Sequence, residues 1–210
     1  MRRALAALFV LSLPAACAHG PAPAASAHQP VPPAALLRPS ALGFDFQWRQ
    51  RVTATWPTGT RSFDAVLQKQ RGELILVGLS PLGQPGFVLR LREQGALEVE
   101  NRTGQTLPFE PGYVMADVQR VFFPWLARPA AAFTGEQSGR HGDCAVFERY
   151  RDGRLESRRF ERLTPAGLER VSVQYGPQPA AADAPQQAVL ENTLLDYTLR
   201  IETLEQTRLP

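Results

Sequence analysis

Arg49 to Leu79 reads RQRVTATWPTGTRSFDAVLQKQRGELILVGL, and the spacing of its apolar residues decides the fold. Val52, Ala54 and Trp56 fall on every second residue. Pro57-Thr58-Gly59-Thr60 has turn composition. Phe63, Ala65 and Leu67 then alternate with Asp64 and Gln68, and Gln70-Arg71-Gly72 turns the chain again. Glu73 to Leu79 is apolar on both faces, as in a central strand. A period of two with short Gly- and Pro-bearing connections is the pattern of sequential antiparallel strands.

The pattern continues outward. Phe87, Leu89 and Leu91 alternate with Arg90 and Arg92, and Leu97 and Val99 with Glu98 and Glu100. Then the period changes. Val114, Val118, Val121 and Trp125 recur at helical spacing after Pro111-Gly112-Tyr113, which predicts one amphipathic helix ending near Pro124. Pro129 to Gly142 reads as a loop. Strands resume at Ala145 to Tyr150 and Arg154 to Leu163 around Asp152-Gly153, a hairpin signal, followed by Leu168 to Tyr175 and Val189 to Leu204. About nine strands and one helix are expected. An up-and-down sheet of that length curls toward a barrel, and the helix must bury its apolar stripe on the concave side. The fold class is therefore mainly β: a curled antiparallel sheet, or half-open β-barrel, with a helical lid.

Residues 1–16 are excluded from this fold. Arg2 and Arg3 precede a ten-residue apolar run, Ala4 to Leu13, too short to span a bilayer and typical of a secretory signal peptide. Leu13-Pro14-Ala15-Ala16-Cys17 resembles a bacterial lipobox, in which the Cys thiol is acylated and becomes the first mature residue. Pro14 stands where that pattern prefers a branched aliphatic. Cleavage after Ala16-Cys17-Ala18, an A-x-A site, is the alternative and would leave a soluble periplasmic protein. If acylated at Cys17, the chain has Ala18 as its second mature residue, which points to the outer membrane, periplasmic face. Ala18 to Ala41 holds six Pro and eight Ala, a composition for a tether of roughly 75 Å. The division is thus signal peptide 1–16, tether 17–42 and β domain 43–210.

Several of these pieces together resemble a known family. They are the lipobox, the Pro/Ala tether, Trp56-Pro57, Phe63-Asp64-Ala65-Val66-Leu67, Leu79-Ser80-Pro81-Leu82-Gly83, the helix with Trp125, and Tyr197-x-Leu199-x-Ile201. This order resembles domain of unknown function 3261, a bacterial lipoprotein family, over Phe46 to about Glu202. Members are often encoded beside aryl-polyene genes, so the resemblance implies a role in envelope or aryl-polyene lipid biogenesis. The layout is also similar to the outer-membrane lipoprotein receptor LolB and its carrier LolA, half-open barrels with helices as a lid and an apolar cavity that holds acyl chains. That likeness implies a lipophilic ligand or lipoprotein cargo, and makes Leu82 the tip of a membrane-contact loop.

The residues themselves leave two readings open at each place. Leu82, flanked by Pro81 and Gly83, is either exposed and membrane-seeking or folded back on the sheet. Trp56, Phe63 and Phe87 from the first strands, with Phe122, Trp125, Phe147 and Tyr197 from the rest, line an apolar cavity or make a solid core. The first gives a binding or transfer module, the second a docking lipoprotein with a filled core.

Other function classes fare worse. The net charge is +3, and without Arg2 and Arg3 it falls to 21 − 20 = +1, which argues against a nucleic-acid partner. No P-loop, G-x-G-x-x-G or G-x-S-x-G occurs. His141, Asp143 and Cys144 lie close in sequence, but no spacing motif accompanies them, so a Cys144-dependent enzyme is the third and least favoured reading and no metal site is expected. His19 and His28 fall in the tether and read as incidental. The Arg- and Glu-rich stretch from Glu148 to Arg170 reads as a solvated, salt-paired face. No catalytic residue, cofactor or metal is expected, and the chain is expected to be a monomer.

Overall fold

The computed structural model describes residues 35–177 and 184–210. The signal segment, Cys17 and most of the tether lie outside the described residues. Eleven strands form one antiparallel sheet. The first five are β1 (Phe46–Trp56), β2 (Gly59–Gln70), β3 (Glu73–Leu79), β4 (Pro85–Arg92) and β5 (Leu97–Asn101), each paired with the one before. Helix α1 (Pro111–Phe122) follows. The chain then runs through β6 (Gly135–His141), β7 (Cys144–Arg151), β8 (Arg154–Thr164), β9 (Gly167–Tyr175), β10 (Gln187–Asn192) and β11 (Tyr197–Arg208). β11 pairs with β1, so the order is β5-β4-β3-β2-β1-β11-β10-β9-β8-β7-β6. The chain walks from the centre to one edge, crosses as α1 to the other edge, and walks back.

The sheet must curl. β4 and β10 stand five strand spacings apart, roughly 24 Å on a flat sheet. Both touch α1, a cylinder only about 10 Å across. β5 and β6 do not pair, so the barrel stays half open. The helix starts at Pro111, whose missing N–H costs nothing at that position. It ends where Pro124 forces Phe123 into extended conformation, and the Phe123 N–H closes the last turn on the Gln119 carbonyl.

Two apolar clusters fill the curl. One joins Phe46, Trp48, Leu67, Leu74 and Leu89 to Met115 and Phe123. The other joins Val146, Phe160, Val171, Val173 and Leu190 to Val121. Residues 35–45 form a strap across the first cluster. Leu36 and Leu37 pack against it, Leu42 is buried, and Asp45 meets the Lys69 ammonium at 2.6 Å. Leu36, Leu37 and Leu42, which fall within the expected tether, thus pack on the core.

Two strands exceed the count expected from sequence. β6 (GEQSGRH) has no apolar residue to show a period, since it is a half-exposed edge strand. Residues 189–204 divide at a turn in which Asn192 Oδ1 accepts from the amides of Leu194 and Leu195, and Asp196 takes a φ of 51°. Leu194 and Leu195 masked that turn. The Asp152-Gly153 hairpin forms as expected, with φ of 49° and 70°.

Candidate ligand-binding site

The concave face is apolar on one half and ionic on the other. Strand alternation turns Glu148, Arg158, Arg162 and Glu169 inward beside Val146, Phe160 and Val171, and all four charged groups are buried. α1 adds Asp117 and Arg120. Arg120 bridges Asp117 Oδ1 and Glu169 Oε1, both at 2.9 Å, and Arg162 Nη2 meets Glu169 Oε2 at 2.7 Å. Tyr197 donates to Asp117 Oδ2. Arg158 donates to Glu148 Oε1 and to the Arg120 carbonyl, each at 2.7 Å. Tyr150 and Gln137 donate to Glu148 Oε2. Burial holds the Asp117 carboxyl above its ordinary range, against the pull of Arg120.

The stretch read from sequence as a solvated face is thus two faces. Arg149, Arg159 and Arg170 point outward to Glu136 and Glu161, while Arg158 and Arg162 point inward. Their parity with Phe160 was the signal available in the sequence. Buried charge of this kind persists only when paired, and each of these groups is.

Beyond the C-terminal end of α1 the filling stops. A cavity of about 840 Å³ opens there between the strap, the helix end and the β7–β8 hairpin. Leu42, Phe44, Val121, Phe122 and Leu126 supply apolar walls. Tyr150, Tyr175 and Arg158 close its inner side. The Tyr175 hydroxyl donates to the Val121 carbonyl at 2.9 Å, and burial pushes that phenol up to about 12. Arg128, Asp152, Arg154 and Arg208 also line it, and all four are exposed.

The seven aromatic residues singled out from the sequence do not converge on one pocket. Phe122 lines this cavity. Trp56 and Tyr197 line a smaller one of about 350 Å³ at the other end of the sheet. Phe63 and Phe87 stack edge to face, with ring centroids 6.0 Å apart, against the first cluster. Trp125 packs edge-on against Phe160 and His141. Phe147 alternates to the outer face of β7, where the Arg159 guanidinium covers it at 4.5 Å. Leu82 is 87% exposed at the tip of the β3–β4 loop, so it is not folded back. The cavity residues that the sequence reading did not single out come from the strap and from the segment after α1, where no period marks them.

Cys144 stands opposite His141 in the β6–β7 register, but its thiol lies against the Ala145 carbonyl and burial raises it. Among the described residues no group of His, Cys, Asp and Glu is placed to hold a metal ion. No helix among them is long and apolar enough to cross a membrane.

Fold and site together define a half-open antiparallel β-barrel wrapped on a buried helix, with a cavity at the strap end. The chain belongs to the family described as protein of unknown function (DUF3261), whose model matches residues 47–205. No curated protein sequence matches it. Among solved structures it is similar to a LolA superfamily protein from Nitrosomonas europaea, with 10% identity, 80% of this chain and 89% of that one covered, and a TM-score of 0.48. A domain assigned as an outer membrane lipoprotein-sorting protein, from Vibrio parahaemolyticus, aligns with 10% identity over 79% of this chain and 85% of its own, also at 0.48. A DUF1329 family protein from Desulfovibrio piger aligns with 11% identity over 80% and 88%, at 0.33.

Proposed function

We propose that this protein is a lipid-anchored periplasmic binding module that shelters a lipophilic group in the cavity at the strap end, and is not an enzyme. The observation that carries the reading is the cavity itself. Its volume of about 840 Å³ lies within the range of about 300–1,000 Å³ typical of small-molecule sites, and Leu42, Phe44, Val121, Phe122 and Leu126 give it an apolar wall facing a polar one. Burial of apolar ligand surface there supplies the affinity, at roughly 25 cal/mol per Å².

The anchor in this reading is an acylated Cys17, on the inner leaflet of the outer membrane. Residues 18–34 number 17 and can reach at most about 60 Å at ~3.5 Å each. β1 and β11 are 11 and 12 residues long, roughly 40 Å. Either end of the sheet can therefore approach the bilayer. The end opposite the strap carries Leu82, Leu163, Leu168 and Leu195 in three separate loops or hairpin tips, all exposed. We assign that rim, with Leu82 foremost, to membrane contact.

A docking lipoprotein with a filled core is the second reading. The ionic network beneath α1 favours it, because that half of the concavity holds no room for a ligand.

The test is binding of the neutral fluorophore N-phenyl-1-naphthylamine to the full chain. Gly43 lines the cavity and a Cβ there meets nothing within 4 Å, so Gly43→Trp adds bulk at the cavity wall without a clash at the Cβ. Saturable binding that Gly43→Trp abolishes supports the binding module. No saturable binding by the unaltered chain overturns it and leaves the docking reading.

A further inference from the structure

The same cavity has a polar side that an apolar ligand leaves unused. Most arginines on the sheet are paired with carboxylates, as in Arg49–Asp64, Arg92–Glu98 and Arg149–Glu136. The side chains of Arg128 and Arg154 line the cavity and have no ion-pair or hydrogen-bond partner among the described residues. Arg208 lines it too, with its guanidinium 4.8 Å above the Phe44 ring. Deeper in, Arg158 is 5% exposed and uses Nε and Nη1, while Nη2 has no hydrogen-bond partner among the described residues. Its charge is balanced by Glu148. Asp152, the carboxylate lining the cavity, accepts from Thr134 Oγ1. The lining therefore carries two unpaired side-chain guanidinium groups, Arg128 and Arg154, against the one carboxylate of Asp152, beside apolar walls.

We infer that the sheltered group is an anionic amphiphile, whose carboxylate or phosphate head meets Arg128, Arg154 and the free Arg158 N–H while its chain lies against Phe122, Leu126 and Leu42. The inference rests on the cavity reading above and narrows it to a ligand class. A guanidinium without a carboxylate partner gains most from an oxyanion, because its planar fork matches two oxygens at once. Around the buried Arg158 the apolar wall lowers the local dielectric and strengthens that attraction, while Arg128 and Arg154 act from the solvent side. The arrangement also sets orientation: head toward the β7–β8 hairpin and solvent, chain toward the helix end. Arg208 keeps its stack on Phe44.

The experiment compares cis-parinaric acid with its methyl ester, which has the same chain and no charge, on the full chain at low salt. The acid binds at least tenfold tighter than the ester, a difference of about 1.4 kcal/mol. The Arg128→Gln/Arg154→Gln double variant removes that preference and leaves ester binding unchanged. Arg61→Gln, at the other end of the sheet, changes neither. Both side chains of the double variant are exposed and unpaired, so folding is unaffected. Displacement arms separate the sources of the head: palmitate or dodecyl phosphate competes at micromolar level, and inorganic phosphate alone does not. Equal binding of acid and ester overturns this inference and leaves the lipophilic cavity standing. Displacement by inorganic phosphate as effective as by the amphiphiles also overturns it. If neither probe binds, the binding module fails, and this inference with it.

Discussion

Gln119 of α1 holds the backbone of Leu37 by both its polar groups: the Gln119 Oε1 accepts from the Leu37 N–H and the Gln119 Nε2 donates to the Leu37 carbonyl, each at 2.7 Å. Gln119 has no exposed surface, so the strap caps a helix that would otherwise show a polar residue to water. The same strap carries Leu42 and Phe44 into the cavity wall. Chain leading toward the proposed anchor is thus tied directly to the proposed binding site.

Gln119→Ala leaves two backbone groups without partners, each costing about 1–3 kcal/mol if it stays buried. The strap relieves that cost by lifting. The expected result is a stability loss of about 2 kcal/mol in urea unfolding, with the Leu37 amide exchanging hydrogen freely while those of Leu67 and Leu89 remain protected. A protected Leu37 amide in the variant would show that the apolar contacts of Leu36 and Leu42 hold the strap alone.

Glu169 joins Arg120 and Arg162, and all three are buried. Glu169→Gln removes the carboxylate charge that both guanidinium groups share. Breaking a buried pair in this way costs about 3–5 kcal/mol. The same change at Glu136, whose pair with Arg149 is more than half exposed, moves stability by less than about 0.5 kcal/mol. Chemical denaturation of the two variants checks the contrast. Equal effects would mean that the interior of β7–β9 is wet.

The antiparallel meander was legible because its turns carry Gly and Pro and its strands alternate. The helix was legible because Val114, Val118 and Val121 keep a helical period and Pro124 stops it. The edge strand β6 was not, since a strand with one weakly buried face has no need of apolar residues. The cavity was least legible. Its walls come from the strap and from residues after α1, whose placement is set by what they pack on. The aromatic residues were conspicuous in sequence, but conspicuous size marks a core residue as readily as a ligand contact. Phe147 shows the failure most plainly. Counting alternation from Cys144 puts it on the outer face with Arg149, and size alone had placed it inside.

None of the four tyrosines titrates normally in the folded chain. Burial raises the phenols of Tyr113, Tyr150, Tyr175 and Tyr197, and beside Tyr150 and Tyr197 the carboxylates of Glu148 and Asp117 raise them further. The folded values lie above the unfolded value of about 10. Their contribution to stability is therefore complete below about pH 10 and is lost as pH rises through 10 toward the folded values. The slope reaches about 1.4 kcal/mol per pH unit for each tyrosine. Tyrosinate absorbance should stay flat until the circular dichroism of the sheet collapses, and then appear in one step. A component titrating near 10 in the folded chain contradicts the buried placement.

Cys144 tests the enzymatic alternative. A thiol attacks as thiolate, and thiolates form where positive charge is close and solvent is near. Here burial comes first and pushes the thiol up, and the side chain packs with Val146 and Phe160 as a small apolar residue. Iodoacetamide should leave the Cys144 peptide unmodified in the native chain and label it fully in denaturant, read by mass spectrometry of that peptide alone so that Cys17 does not interfere. Cys144→Ala should cost about 1 kcal/mol of stability and leave probe binding at the strap-end cavity unchanged. Rapid native labelling would place a reactive nucleophile at the β6–β7 tip and reopen chemistry there, with His141 opposite as the available base.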